Sequence, residues 1–266
     1  MPIYTTYDMI RDCRQGRPEG REHFVVYFVP ATSFFIGHYR PELAGDAELL
    51  QVVVRRVLED GGDLFSWEEV PERWFLVELR SAVLRIIEQE RPAQAPAIRL
   101  DLATLATALE GFTVVDRQAV WLEAMRHAPE QASTLLNIEP ATARRARERA
   151  AELLRQAMDG WSGRLIWDNG PSLQQEAAAQ QPAQALPVKH VLDMIDGRST
   201  WNQRQEIELA MKASWGAVDL VCRLREAAEL TRESKMLSEE EAEPFRKLLG
   251  IEKRKRSGWR SLFAGA

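Results

Sequence analysis

Residues 116–156 read DRQAVWLEAMRHAPEQASTLLNIEPATARRARERAAELLRQ. Ala119, Val120, Leu122 and Met125 recur at helical spacing, with Asp116 placed to cap the helix they define. Pro129 then opens a short helix at a first-turn position, where a missing N–H leaves nothing unbonded. Ala132, Leu135 and Leu136 form its apolar face. Asn137 follows at the point where a tight turn needs a positive φ, which Asn tolerates better than most residues. Ile138 plugs the pair, and Glu139 and Pro140 start a long helix. Its inner stripe is Ala143, Ala146, Ala150, Leu153 and Leu154. Its outer stripe is Ala141, Arg144, Arg145 and Glu148, with Thr142 and Arg149 at the edges. Helix, tight turn and arginine-bearing helix is the sequence shape of a helix-turn-helix, whose second helix lies in the DNA major groove. Arg144 and Arg145 are the expected reading pair, because arginine bonds guanine bidentately or clamps phosphate. The competing reading is an Arg/Glu-rich face that is solvated and nothing more.

The rest of the chain sets the context for that stripe. With 266 residues, about two domains are expected. Ala, Leu, Glu and Arg dominate while Tyr and Thr are few, so the fold class expected is all-α. No apolar run approaches the roughly 20 residues of a membrane span. The N-terminus is charged early and has no apolar signal core, so a cytoplasmic protein is expected. Cys13 and Cys222 lie far apart and make neither a disulfide framework nor a metal site, and the four histidines show no ligand spacing. Net charge is −5, but unevenly spread. Lys plus Arg against Asp plus Glu runs 11 to 16 over residues 1–92, 8 to 8 over 93–158, 11 to 15 over 159–250 and 5 to 1 over 251–266. Basic charge is therefore local to the long arginine helix and the tail. Weak autonomous DNA binding follows, because phosphate neutralisation supplies most non-specific affinity.

Residues 1–91 read as a small helical bundle with an aromatic core. Met9, Ile10 and Cys13 share a face, and Phe24, Phe28, Ala31, Phe34 and Phe35 recur at helical spacing. The segment ELLQVVVRRVL at 48–58 follows a capping Asp46. After a GGD turn, residues 70–90 give a third helix, with Trp74, Leu76 or Val77, Val83, Leu84 and Ile87 facing a core. Taken in order, IRDCRQGRPEGREHFVVYFVP, ELLQVVVRRVL and ERWFLVELRSAVLRIIEQE resemble the promoter-melting and core-binding domain of an extracytoplasmic-function (ECF) sigma factor. In that family an acidic-Leu-x-Gln segment grips core RNA polymerase. The matching positions are Glu48, Leu49 and Gln51, with Val53, Val54 and Arg55 beside them. Residues 64–72, LFSWEEVPE, depart from the family by being acidic where a melted strand would be held, and repulsion from phosphate opposes strand capture there.

Residues 92–101, rich in proline and alanine, read as a linker. Residues 102–158 follow as a second helical domain with a Leu102, Leu105, Leu109 seam. This domain resembles the promoter-reading domain of ECF sigma factors. The resemblance rests on Leu136, Ile138, Thr142, Arg149 and Ala150, preceded by Arg117, Ala119, Val120 and Leu122. It implies promoter DNA contact through Ala141, Thr142, Arg144, Arg145, Glu148 and Arg149. Arg147 stands where the family usually has an apolar residue, and Ala146 where a basic one is frequent.

Residues 159–187 read as a second linker, partly disordered by composition. Residues 188–250 return to helix and are similar to the zinc-binding anti-sigma module. The positions equivalent to its His-x-x-x-Cys-x-x-Cys ligands are Ala210, Ser214 and Ala217, which cannot hold zinc. Either the likeness is accidental or packing around Trp215 replaces the metal. Within this stretch SEEEAEPFRKLLG reads as a capped, solvated or partner-facing helix. Residues 251–266 form a basic tail with Trp259 and Phe263. No Gly-rich phosphate loop, nucleophile–base set or ligand cluster is legible, so a non-enzyme without cofactor or metal is expected. The function expected is a sigma-factor-like transcription protein that binds core RNA polymerase and promoter DNA, with an anti-sigma or other protein as regulator. The alternative is a sigma-derived interaction adaptor that has lost promoter melting.

Overall fold

The computed structural model describes residues 4–61, 64–66, 71–159, 163–180, 186–233 and 235–251. Gly62 and Asp63 of the expected turn, residues 67–70 of the acidic stretch, Trp161, residues 181–185 and nearly all of the basic tail, including Trp259 and Phe263, lie outside them. Among the described residues the chain is all-α, without strands. The first elements are α1 (Thr6–Arg14), α2 (Pro18–Tyr39), a 3-10 turn (Pro41–Leu43), α3 (Ala47–Asp60) and α4 (Glu72–Glu90). Then come α5 (Leu102–Ala108), α6 (Val114–Ala124), α7 (Pro129–Leu136), α8 (Pro140–Ala157), α9 (Leu165–Asp168) and α10 (Gly170–Ala179). The last are α11 (Val188–Ile195), α12 (Trp201–Ala213), α13 (Trp215–Glu233) and α14 (Glu239–Leu248). No described helix is long and apolar enough to cross a membrane.

Two compact units emerge, and their boundaries differ from the sequence reading. One contains Met1–Ala93 with Leu230–Ala266; the other is Gln94–Glu229. The stretch 188–250 is thus not a module of its own. Most of α11–α13 belongs with the second unit, while α14 belongs with the first.

In the first unit α2 is the hub, in contact with α1, α3, α4 and α14. Its Phe24 and Phe28 meet Phe75 of α4 edge-on, at centroid distances of 6.5 and 4.8 Å. Such pairs add about 0.5–1.5 kcal/mol each beyond their burial. Trp74 and Leu84, expected in this core, are only half-buried because Phe75, Leu79 and Val83 occupy the inner face. Pro30 sits inside α2. It lacks the N–H that would bond the carbonyl four residues back, which is Val26. The backbone N–H of Leu237 donates to that Val26 oxygen at 3.0 Å. The C-terminal return thereby satisfies the group that the proline orphans. The following helix, α14, carries the acidic run and is capped by the Ser238–Glu241 box. Rather than being wholly solvated, it buries Ala242 and Phe245, and its buried Arg246 forks onto Glu22 of α2, with Nε 3.0 and 2.9 Å from the two carboxylate oxygens.

His23 of α2 is buried, stacked on Tyr27 at 4.3 Å and beside Tyr4 at 4.9 Å, and its Nδ1 has no hydrogen-bond partner among the described residues. Burial favours the neutral ring and pulls its pKa from 6.5 down to about 4, against the opposing charge of Asp8. The unfolded chain takes up this proton more readily than the folded one. Stability from this group is therefore complete above pH 6.5 and is lost as pH falls from there toward 4. The loss is on the order of 3 kcal/mol at most. Urea midpoints compared at neutral and acid pH should fall more in the parent chain than in His23→Phe. Equal falls would show that His23 does not titrate this way.

In the second unit, residues 159–187 are not a linker throughout, because α9 and α10 lie within them. Asn169, between the two helices, is buried. Its Oδ1 accepts from the Leu100 N–H at 2.9 Å and its Nδ2 donates to the Ile98 carbonyl at 2.9 Å. The end of the 92–101 stretch is pinned by these bonds. Gly170 follows, where a Cβ would lie 2.1 Å from the Ala124 carbonyl oxygen, so only glycine admits the approach of α10 to α6.

Candidate nucleic-acid interface

The elements that carry the arginine stripe are built from caps and small residues. Thr113, not Asp116, caps α6: the Asp116 N–H donates to Thr113 Oγ1 at 3.2 Å, and that hydroxyl donates to the Asp116 carboxylate at 2.8 Å. Asp116 is instead the third residue of the helix, where a carboxylate favours the exposed N–H ends. Pro129 opens α7 as expected, burying Ala132 and Leu136 but leaving Leu135 half-buried. Asn137 takes φ 53° and ψ 53°, the left-handed turn expected from its residue type. Asn137→Ala should cost about 1 kcal/mol and Asn137→Gly only a few tenths, read from thermal unfolding. An equal response to both would mean that backbone strain does not set the preference.

Ala143, Ala146, Ala150 and Leu154 of α8 are buried, and three alanines on one stripe let α8 lie close on α5, α6 and α7. On the other side Ala141, Arg144, Arg145, Glu148 and Arg149 are exposed and Thr142 is half-buried. All six residues expected on the outer face therefore share it, and that face is open. Arg144 pairs with Glu130 of α7 at 2.8 Å and holds that carboxyl below its usual range. Arg145 bends back along its own helix, donating to the Ala141 carbonyl and Thr142 hydroxyl at 3.3 Å each. Arg149 lies over the Phe112 ring, 4.8 Å from its centroid.

Arg147, the polar residue at a position expected to be apolar, is not on this face. Its Nε donates to Glu123 of α6 at 2.7 Å, both side chains being largely shielded. An ion pair here replaces apolar packing between α6 and α8.

A second layer stands behind the stripe. Trp121 of α6 is fully buried; its Nε1 donates to Asp219 of α13 at 3.0 Å and its ring lies 5.5 Å from that of Trp215. Asp219 also pairs with Arg223. Arg117 caps the end of α12, donating to the Lys212 carbonyl at 2.9 Å while lying over Trp215. His127 Nε2 and Glu226 Oε1 are 2.8 Å apart in a buried pair, and Arg225 donates to the Leu135 carbonyl at 3.0 Å. Trp215 is the packing centre expected between α12 and α13, but it packs against α6 rather than closing a free-standing pair. Among the positions equivalent to zinc ligands, Ser214 accepts from the Gly216 N–H at 3.1 Å, and Ala217 is buried.

No protein-family model, curated protein or solved structure matches this chain. The site is therefore read from its own chemistry.

The positions expected to face core polymerase lie on α3 of the first unit. Asp46 caps it, accepting from the Leu49 N–H at 2.9 Å. Glu48 and Arg55 are exposed and Gln51 is half-buried, spaced along one side of the helix. Leu49 and Val54 are corrected: they are 2% and 0% exposed and form core, as the apolar half of an amphipathic helix must. Trp121, Asp219, His127 and Glu226 were not singled out as a set. Their partners lie about a hundred residues apart in sequence, so no local pattern links them.

Proposed function

We propose that this chain is a sigma-factor-like transcription protein that reads DNA with the exposed face of α8 and binds core RNA polymerase through α3. One observation carries the DNA half. A left-handed Asn137 turn joins α7 to α8, whose buried alanines turn Ala141, Arg144, Arg145, Glu148 and Arg149 to solvent. That arrangement suits insertion of α8 into a major groove, with arginines reaching guanine edges or phosphates. The Arg144–Glu130 pair is solvent-exposed and therefore weak, so phosphate can displace the carboxylate. For the polymerase half, the buried positions of Leu49 and Val54 reduce the contact to Glu48, Gln51 and Arg55.

A second reading, an interaction adaptor that has lost promoter melting, is favoured by a specific observation. Arg144 and Arg147 are neutralised by glutamates, and residues 1–92 carry 16 acidic against 11 basic side chains. Capture on core RNA polymerase, followed by run-off transcription from promoter fragments, separates the two. Capture with transcripts is the expected result; capture without transcripts supports the adaptor, and no capture refutes both. Glu48→Lys with Gln51→Ala should weaken capture while leaving the far-ultraviolet dichroism unchanged.

A further inference from the structure

The first unit holds a cavity of about 240 Å³ with aromatic walls and a charged rim. Tyr27, Phe28 and Phe34 of α2 supply the rings. Glu72, at the start of α4, and Glu233, at the end of α13, stand at its edge, and both are exposed. Among the described residues neither carboxylate makes a hydrogen bond or an ion pair, and Lys235 on the same cavity makes none either. With two carboxylates against one ammonium, the rim is left net negative. A cavity of about 150 Å³ accepts a benzene ring, so this one has room for the two fused rings of an indole. An indole also brings an N–H for an unpaired carboxylate, which a phenyl ring lacks.

We propose that this cavity receives Trp259 of the chain's own C-terminal tail, with the neighbouring basic residues laid against the acidic rim. The charges are complementary. Lys253, Arg254, Lys255, Arg256 and Arg260 flank Trp259, with Glu252 alone of opposite sign, an excess that Lys235 on the rim does not offset. The approach is acidic as well: Glu239, Glu240 and Glu241 open α14, and Leu237, just before them, is bonded to Val26, the neighbour of Tyr27. The chain is also long enough. Gly250 takes φ 64° and the Ile251 N–H donates back to the Arg246 carbonyl at 2.9 Å, so the tail leaves from the turn that carries Arg246. Arg246 is anchored on Glu22, which lies five residues before Tyr27, about 7.5 Å along α2. The eight residues from Ile251 to Trp259 extend to about 26 Å, more than that helical offset and the two intervening side chains together require. Cavity and tail belong to the same compact unit. Neither α8 nor α3 takes part, so the proposal stands whatever those helices bind.

Fluorine resonance of the full chain labelled with fluorotryptophan tests it, the Trp259 and Trp201 signals being assigned through Trp259→Phe and Trp201→Phe. Trp201, 73% exposed, is the reference for an indole in water. A neutral gadolinium chelate in solution should broaden the Trp259 signal several-fold less than that of Trp201. Glu72→Lys with Glu233→Lys, both at exposed positions, should release the tail and bring Trp259 to the broadening of Trp201, with far-ultraviolet dichroism unchanged. Ala31→Phe, which fills the cavity from its wall, should do the same. A Trp259 signal broadened as much as that of Trp201 in the parent chain overturns the proposal. Protection of Trp259 that survives the cavity variants overturns it as well, because the ring then lies elsewhere. Protection lost on dilution assigns the cavity to the tail of a second copy and refutes the contact within one chain.

Discussion

Trp121→Ala is expected to remove about 3–5 kcal/mol of stability from the second unit. Few other side chains in the molecule combine so much buried volume with so many dependants. The ring is fully buried. It lies tilted against Trp215, and its Nε1 holds Asp219, which in turn pairs with Arg223. Truncation leaves a cavity between α6 and α13 and a buried carboxylate with one donor fewer. Trp121→Phe keeps most of the packing and loses the hydrogen bond, so its cost should be about 1–2 kcal/mol. Natural domains are stable by only about 5–15 kcal/mol, so the alanine variant should sit close to unfolding. Chemical unfolding curves supply the measurement. A loss in the alanine variant no larger than in the phenylalanine variant would mean that α13 does not depend on this ring.

On the proposed DNA-reading role of α8, Arg144→Ala combined with Arg145→Ala should sharply weaken specific DNA binding while the fold persists. Each well-placed arginine contributes about 1–3 kcal/mol to base discrimination, so the pair should lower affinity roughly 30-fold to beyond 1000-fold. If the two arginines contact phosphates instead, the loss should be uniform across sequences and the salt slope should fall by about 2. Neither side chain supports the core: Arg144 is 53% exposed and Arg145 bonds only its own helix among the contacts described above. The melting temperature should therefore stay put. Arg147→Ala is the contrasting control. It strands the shielded Glu123 carboxylate, so it should reduce stability rather than act through the exposed arginine face. Anisotropy titrations against promoter fragments measure the first effect. Unchanged affinity in the double variant would refute the assigned face.

Where the sequence reading succeeded, local geometry governs. The inner and outer stripes of α8 follow from a 3.6-residue repeat, which places Ala143, Ala146 and Ala150 on one side and Arg144, Arg145 and Glu148 on the other. Asn137 in the left-handed region and Pro129 at a first turn reflect backbone sterics of single residues. Single-residue inference also had limits: Asp116 and Thr113 are both competent caps three residues apart, and the choice fell to the residue whose backbone was extended. Leu49 and Val54 show the same limit, because matching a family motif does not separate the face that packs from the face that is free.

The arginine stripe is thus a property of residues 140–157 taken alone, and so are the all-α class and most helices. What covers each helix was decided elsewhere in the chain. Asn169 reaches back to Ile98 and Leu100, Trp121 reaches forward to Asp219, and Leu237 returns to the Val26 carbonyl that Pro30 leaves without a donor. Such contacts satisfy buried polar groups between residues some 70 to more than 200 positions apart, and no periodicity records them. The 159–187 stretch reads as a linker by composition yet folds, because Asn169 and Gly170 find their partners only once α6 and the 98–100 segment are in place. Tertiary structure likewise separated Trp215, buried against α6, from Trp201, left in water on α12. In sequence the two are equivalent tryptophans at helix starts; burial against a neighbouring helix is what tells core from surface.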